Sequence, residues 1–137
     1  MVKQMPYEAK HRFARIAPRK ARLVMDLIRG RDVDDALSML KFSKQRVSGM
    51  IEKVIRSAVA NANEQETSAP RNTLYVAKAW VDPGPIIKRF QPKDRGKAYP
   101  INKRTSHLVV TVDERAEGEV VRINRKTVGG RPGKAVR

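Results

Sequence analysis

The stretch KRFQPKDRGKAYPINKR, residues 88–104, holds seven cations and one acid, and it lies between two β-branched and aromatic runs, TLYVAKAWV and SHLVVTV. A small core cannot accept that much unpaired charge. The flanking runs have the composition of strands and make a natural antiparallel pair. The chain between them therefore forms either a long loop or two arms of a hairpin. Loops beyond about 12–15 residues inside a compact domain are usually functional or disordered. The hairpin reading spans about residues 83–106, with its turn near Arg95 and Gly96. From Pro85 to the tip is about ten residues, or ~33 Å of strand. A bare two-stranded ribbon is marginal in water, and this one has no apolar face to dock on its own protein. Something external has to hold it. Pro83 and Pro85 cannot donate ladder hydrogen bonds and Gly84 tolerates unusual backbone angles, so a kink or bulge is expected at the root.

The rest of the chain supplies a body for this ribbon. YEAKHRF alternates Tyr7, Ala9, His11 and Phe13 against Glu8, Lys10 and Arg12, the period of a half-buried strand. APRKARLVMDLIRG places Pro18 in a first helical turn, repeats Leu23, Val24, Leu27 and Ile28, and stops at Gly30, which predicts a helix over about 18–29. DVDDALSML offers Asp32 or Asp34 as the N-cap of a short second helix. Ser43 is the expected cap of a third, whose Val47, Met50, Ile51, Val54, Ile55, Ala58 and Ala62 step by three and four until about residues 63–66. TSAPRN then breaks it. The fold class that follows is α+β, with three helices on a small three-stranded antiparallel sheet and a long protruding β-hairpin.

At 137 residues the chain is expected to be one domain over about 1–113, followed by a basic extension, 114–137, with little to bury and no order when free. Charge decides the class of partner. A net +16 and a pI near 10.8 imply a polyanion, with nucleic acid the default. Residues 1–31 carry nine cations and two acids, whereas residues 32–87 carry seven of each. The basic surface is therefore concentrated in the N-terminal stretch and the ribbon, and more weakly in the C-terminal tail, and the neutral middle is scaffold. The absence of cysteine excludes disulfides and thiolate metal sites, and a reducing cytoplasm is the easier fit. No apolar run reaches the roughly 20 residues of a membrane span, so no membrane association is expected.

Arg89 and Arg95 suit bidentate phosphate contacts, and Gly96 lets backbone approach closely. His11, beside Lys10, Arg12 and Arg15, is either a half-buried strand residue or a hydrogen-bonding partner for phosphate or sugar. His107 is equally open between structure and function. Trp80 is expected in the core. Asp32, Asp34 and Asp35 read as helix-start residues, and no nucleophile has an assignable base. No P-loop or GxGxxG occurs, and neither a metal nor a cofactor is expected.

AKHRFARIAPRKARLVMDLIRG, SAVANAN, VDPGPIIKRF and KRTSHLVVTV together resemble the bacterial form of large-subunit ribosomal protein L twenty-two, over about residues 8–113. The resemblance implies a non-enzymatic constituent of the large ribosomal subunit in the cytoplasm. It implies ribosomal RNA binding, a part in early subunit assembly, and a hairpin lining the polypeptide exit tunnel. It also implies neighbouring large-subunit proteins at the tunnel and exit, transient contact with the nascent polypeptide, and no homo-oligomer. Carried onto this chain, the RNA-facing arm positions are Lys88, Arg89, Phe90, Gln91, Pro92, Lys103 and Arg104. The tip is Lys93, Asp94, Arg95, Gly96, Lys97 and Ala98, and the N-terminal set is Lys10, His11, Arg12, Arg15 and Lys20. Phe90 and Tyr99 are bulkier than the family pattern. The alternative on charge and ribbon alone is a dimeric β-ribbon DNA-binding architectural protein that wedges side chains between base steps.

Overall fold

Apolar spacing and end signals set the helices of the computed structural model, which defines residues 7–65 and 74–114. Helix α1, Pro18–Ile28, starts with its proline in the first turn, where no amide partner is lost, and buries Ala21, Val24, Met25 and Ile28. That stripe steps by three, one and three, the signature of one helix face. The sequence reading had Leu23 and Leu27 in the repeat; they lie on the adjoining face and remain exposed. Gly30 ends the segment at φ 75, a left-handed angle that glycine adopts without penalty.

Helix α2, Val33–Phe42, follows its N-cap Asp32, with Asp34 and Asp35 in the first turn and Lys41 in the last, the polarity the helix dipole favours. Helix α3, Arg46–Gln65, buries Val47, Ile51, Val54, Ile55, Ala58 and Ala62, with Met50 packed against them. Ser43 does not open α3 as expected. It closes α2, its amide donating to the carbonyls of Met39 and Leu40.

Three strands form one antiparallel sheet: β1 Tyr7–Ala14, β2 Leu74–Pro92 and β3 Ala98–Glu114, in the order β1-β3-β2. The helices cover one face, against Tyr7, Ala9, Leu74, Val76, Ala79, Val81, Leu108, Val110 and Val112. Two irregularities in register decide which residues reach that face. Between Val76 and Lys78 the register with β3 shifts, so burial passes from Leu74 and Val76 to Ala79 and Val81. Unbroken alternation would have put Lys78 and Trp80 inside. Trp80 is instead 37% exposed on the opposite face, with Nε1 donating to Asp82 Oδ2 at 3.2 Å. The second shift, between His11 and Ala14, places Ala14 in the core and turns Phe13 out, against the simple alternation of β1.

Side chains also meet the sheet's outer edges, which would otherwise invite pairing with another chain. Arg29 reaches the Ala79 carbonyl through both Nε (3.2 Å) and a terminal nitrogen (2.7 Å), and Arg22 reaches that of Val81 at 3.2 Å. Gly30 and Val76 complete the join: the Gly30 amide donates to the Val76 carbonyl, and the Val76 amide to that of Arg31. On β1, Asn61 Nδ2 donates to the Glu8 carbonyl. Arg22 and Arg29 thus serve the fold with their guanidinium groups. The expectations for TSAPRN and for the basic extension fall largely or wholly outside the described residues.

Candidate nucleic-acid interface

Beyond the body, β2 and β3 continue as a two-stranded ribbon, paired without interruption from Ile86↔Arg104 to Pro92↔Ala98. The expected kink is present at its root, where the register shifts between Pro83 and Ile86. Thr105 fastens it. The Thr105 side chain is buried, and its hydroxyl donates to the Pro85 carbonyl at 2.6 Å. Gly84 lies so close that a β-carbon there would stand 2.5 Å from Thr105 Oγ1 and 3.2 Å from the Thr105 carbonyl carbon. Only a residue without a side chain fits that approach.

At the far end Asp94–Gly96 form a single 3-10 turn, with the Lys97 amide donating to the Asp94 carbonyl at 3.4 Å and the Lys93 amide closing the loop on the Lys97 carbonyl at 2.7 Å. Arg95 and Gly96 are both left-handed, at φ 57 and 69. Glycine takes this angle freely, whereas arginine is strained by it. Lys93, Arg95, Lys97 and Tyr99, with Asp94, surround an open cradle at the tip.

Paired residues of an antiparallel ladder share a face. One ribbon face therefore carries Ile86, Lys88, Phe90, Pro92, Ala98, Pro100, Asn102 and Arg104, and the other Ile87, Arg89, Gln91, Tyr99, Ile101 and Lys103. Each face mixes cations with apolar groups, and each offers one large exposed ring, Phe90 at 75% and Tyr99 at 53%. All residues from Lys88 to Pro100 are exposed. This mixture suits a nucleic-acid surface, with cations for phosphates and apolar groups for sugars and bases. In the free protein, amides of residues 88–102 are expected to exchange at least ~100-fold faster than those of residues 108–112, because no core backs their hydrogen bonds. Hydrogen exchange resolved by residue checks this, and equal protection would show that the ribbon supports itself.

The N-terminal set lies on β1 and α1. Lys10 is exposed and pairs with Glu8 at 3.0 Å, a surface contact worth little. His11 is half-buried, while Arg12, Arg15 and Lys20 are exposed. Because Ala14 pairs with Ser106, the 12–15 end of β1 reaches the ribbon root. Arg12 and Arg15 thus adjoin the arms, whereas Lys20 projects from the first turn of α1. Two residues that the sequence reading did not single out as RNA contacts stand here as well. The Phe13 amide donates to His107 Nδ1 at 2.9 Å, and the two rings meet edge to face with centroids 4.8 Å apart. A strand bulge leaves no period in a sequence, so nothing in YEAKHRF announced this pair.

Among the described residues no group of three or more histidine, cysteine or acidic side chains could hold a metal, and no helix is long and apolar enough to cross a membrane. The family described as Ribosomal protein L22p/L17e matches residues 9–113. The chain is 56% identical over 101 residues to the large ribosomal subunit protein uL22 of Lacticaseibacillus casei, covering 74% of this chain and 86% of that one. It is 53% identical over 108 residues to the protein of the same name from Lactobacillus helveticus, covering 79% and 92%.

Proposed function

Because the chain belongs to the L22p/L17e family of ribosomal proteins, non-enzymatic structural components of the large subunit, we propose that it clamps segments of large-subunit ribosomal RNA with its ribbon and its N-terminal basic set. The observation that carries this reading is the ribbon itself: exposed from Lys88 to Pro100, dense in cations and unsupported by the body. A polyanion that packs against both faces supplies the missing support. The RNA-binding unit is residues 1–113, with the extension 114–137 adding sequence-independent attraction through its seven cations.

By filling the gap between RNA segments early, such a protein fixes their relative placement and assists subunit assembly. The length of the ribbon suits a part that reaches inward and forms one wall of the polypeptide exit tunnel. Its tip then faces neighbouring tunnel proteins and, transiently, the nascent chain, while the body rests near the exit. The protein acts as one copy in the large subunit, which in bacteria is cytoplasmic.

Phosphate contact is tested by titrating the full chain against a large-subunit ribosomal RNA fragment across a salt series. About six phosphate contacts give a slope of log affinity against log salt near −5. A slope shallower than about −2 would mean that the exposed cations do not face phosphates.

A further inference from the structure

Phe13 occupies a backbone conformation that its side chain disfavours. Its φ of 57 lies in the left-handed region, where bulky residues other than glycine are outliers. Strain of this kind persists only where the surroundings enforce it, and it clusters at functional sites. Burial does not explain it, since the Phe13 ring is 55% exposed and Ala14 takes the core position beside it. What the strained turn achieves is presentation. The Phe13 amide is held by His107 Nδ1, a contact that requires the neutral ring to carry its proton on Nε2. The His107 ring abuts the Phe13 ring at 81°, and the guanidinium carbon of Arg12 lies 5.5 Å from the Phe13 centroid. A π surface is thus fixed at the ribbon root with the Arg12 cation lying over the ring, and the part of the ring left exposed is what a base can meet.

We infer that the Arg12–Phe13–His107 cluster is a stacking site for one unpaired base of the RNA. The inference rests on the RNA-binding reading and deepens it by assigning a base contact at a place otherwise described by phosphate contacts. Charge favours a nucleotide over an apolar protein segment. Arg12 and Arg15, which flank Phe13 in the chain, are both exposed, and Glu8, the acid of this strand, is paired with Lys10. Asp82, opposite His107 in the ladder, is engaged by Trp80 Nε1. Continuity favours it too, because Ala14 pairs with Ser106 at the base of the arms, so an RNA strand following the ribbon passes this ring.

The test uses the full chain and the ribosomal RNA fragment of the salt series, with Phe13→Gly and Phe13→Trp. Glycine relieves the left-handed strain, so this variant should melt no lower than the parent while lacking the ring. Loss of one stacked base should lower its affinity about 5- to 100-fold at every salt concentration without changing the slope. Tryptophan should restore binding to near the parental level, with its fluorescence altered on addition of RNA. Affinity of Phe13→Gly within twofold of a tightly binding parent overturns the stacking site and leaves the RNA reading intact. A loss accompanied by a shallower slope overturns it as well, since the ring would then only position cations. A parent that does not bind the RNA overturns both readings.

Discussion

Replacing residues 86–104 with a two-residue Asn-Gly turn is expected to leave the melting temperature within a few degrees of the parent and to abolish most RNA affinity. The first half follows from where the core lies. Every residue of the buried apolar cluster falls within 7–62, 74–81 or 108–112, and none within the ribbon. Inside the excised segment only Ile87 and Ile101 are even half-buried. Asn-Gly suits a two-residue hairpin loop, and the excision leaves the Thr105 hydroxyl in place to hold the Pro85 carbonyl. The second half follows from charge. The excision removes seven cations and one acid, and with them most of the salt slope of about −5 expected of the parent. Losses of that order correspond to at least ~10³ in affinity at low salt and to less at high salt. Thermal melts and the salt series read the two halves separately. A drop in melting temperature beyond about 10 °C would place the ribbon within the cooperative unit, and an unchanged slope would show that its cations do not meet phosphate.

The helices were legible because their information is local and redundant. Six of the seven apolar positions read off α3 are buried, and the seventh, Met50, packs beside them. The ribbon was legible for the opposite reason, as a segment that no core could take. Hidden from the sequence was anything that depends on one inserted residue. A shift between Val76 and Lys78 reverses the side of Trp80, and a shift between His11 and Ala14 reverses that of Phe13. In both places a pattern of period two reads smoothly across the interruption. The rim of α1 failed differently. Leu23 and Leu27 share a helix face, but Ala21 and Met25 share another, and only the docking against β2 decides between them. As for the site, composition exposes its cations but not its sides, because pairing register assigns Phe90 and Tyr99 to opposite faces of the ribbon.

Basic charge on this chain is not all available to RNA, and the structure separates the two uses. Arg22 and Arg29 end on carbonyls of an edge strand, and Arg56 pairs with Glu52 at 2.6 Å along α3. Arg12, Arg15 and the ribbon cations reach solvent. Substituting Arg29 should therefore act on stability at the joint between α1 and β2, whereas substituting Arg89 should act on binding alone.

Gly84→Val is expected to disable the ribbon without touching a single cation. Backbone angle is not the obstacle at this position; space is. The new β-carbon would meet Thr105 Oγ1 at 2.5 Å and the Thr105 carbonyl carbon at 3.2 Å. The hydroxyl cannot simply rotate away, because it is committed to the Pro85 carbonyl and Thr105 is buried, and the carbonyl carbon belongs to the backbone. Relief requires the two strands to separate at the bulge, with an overpacking cost of about 1–3 kcal/mol. The functional loss is larger than that figure suggests, since the ribbon is a lever. A tilt of only ~10° at the root moves a tip ~33 Å away by roughly 6 Å, beyond the reach of the intended phosphates. The expected outcome is a modest fall in melting temperature together with loss of incorporation into large subunits, read by sedimentation of a tagged copy. Thr105→Ala in the same chain removes the 2.5 Å contact but leaves the 3.2 Å one, so the double variant should recover part of the stability, a coupling of ~1 kcal/mol. Additive losses would locate the defect elsewhere than in this pair. Parental melting and parental incorporation of Gly84→Val would show that the root is not closely packed, and that the aim of the ribbon is set by RNA instead of by the bulge.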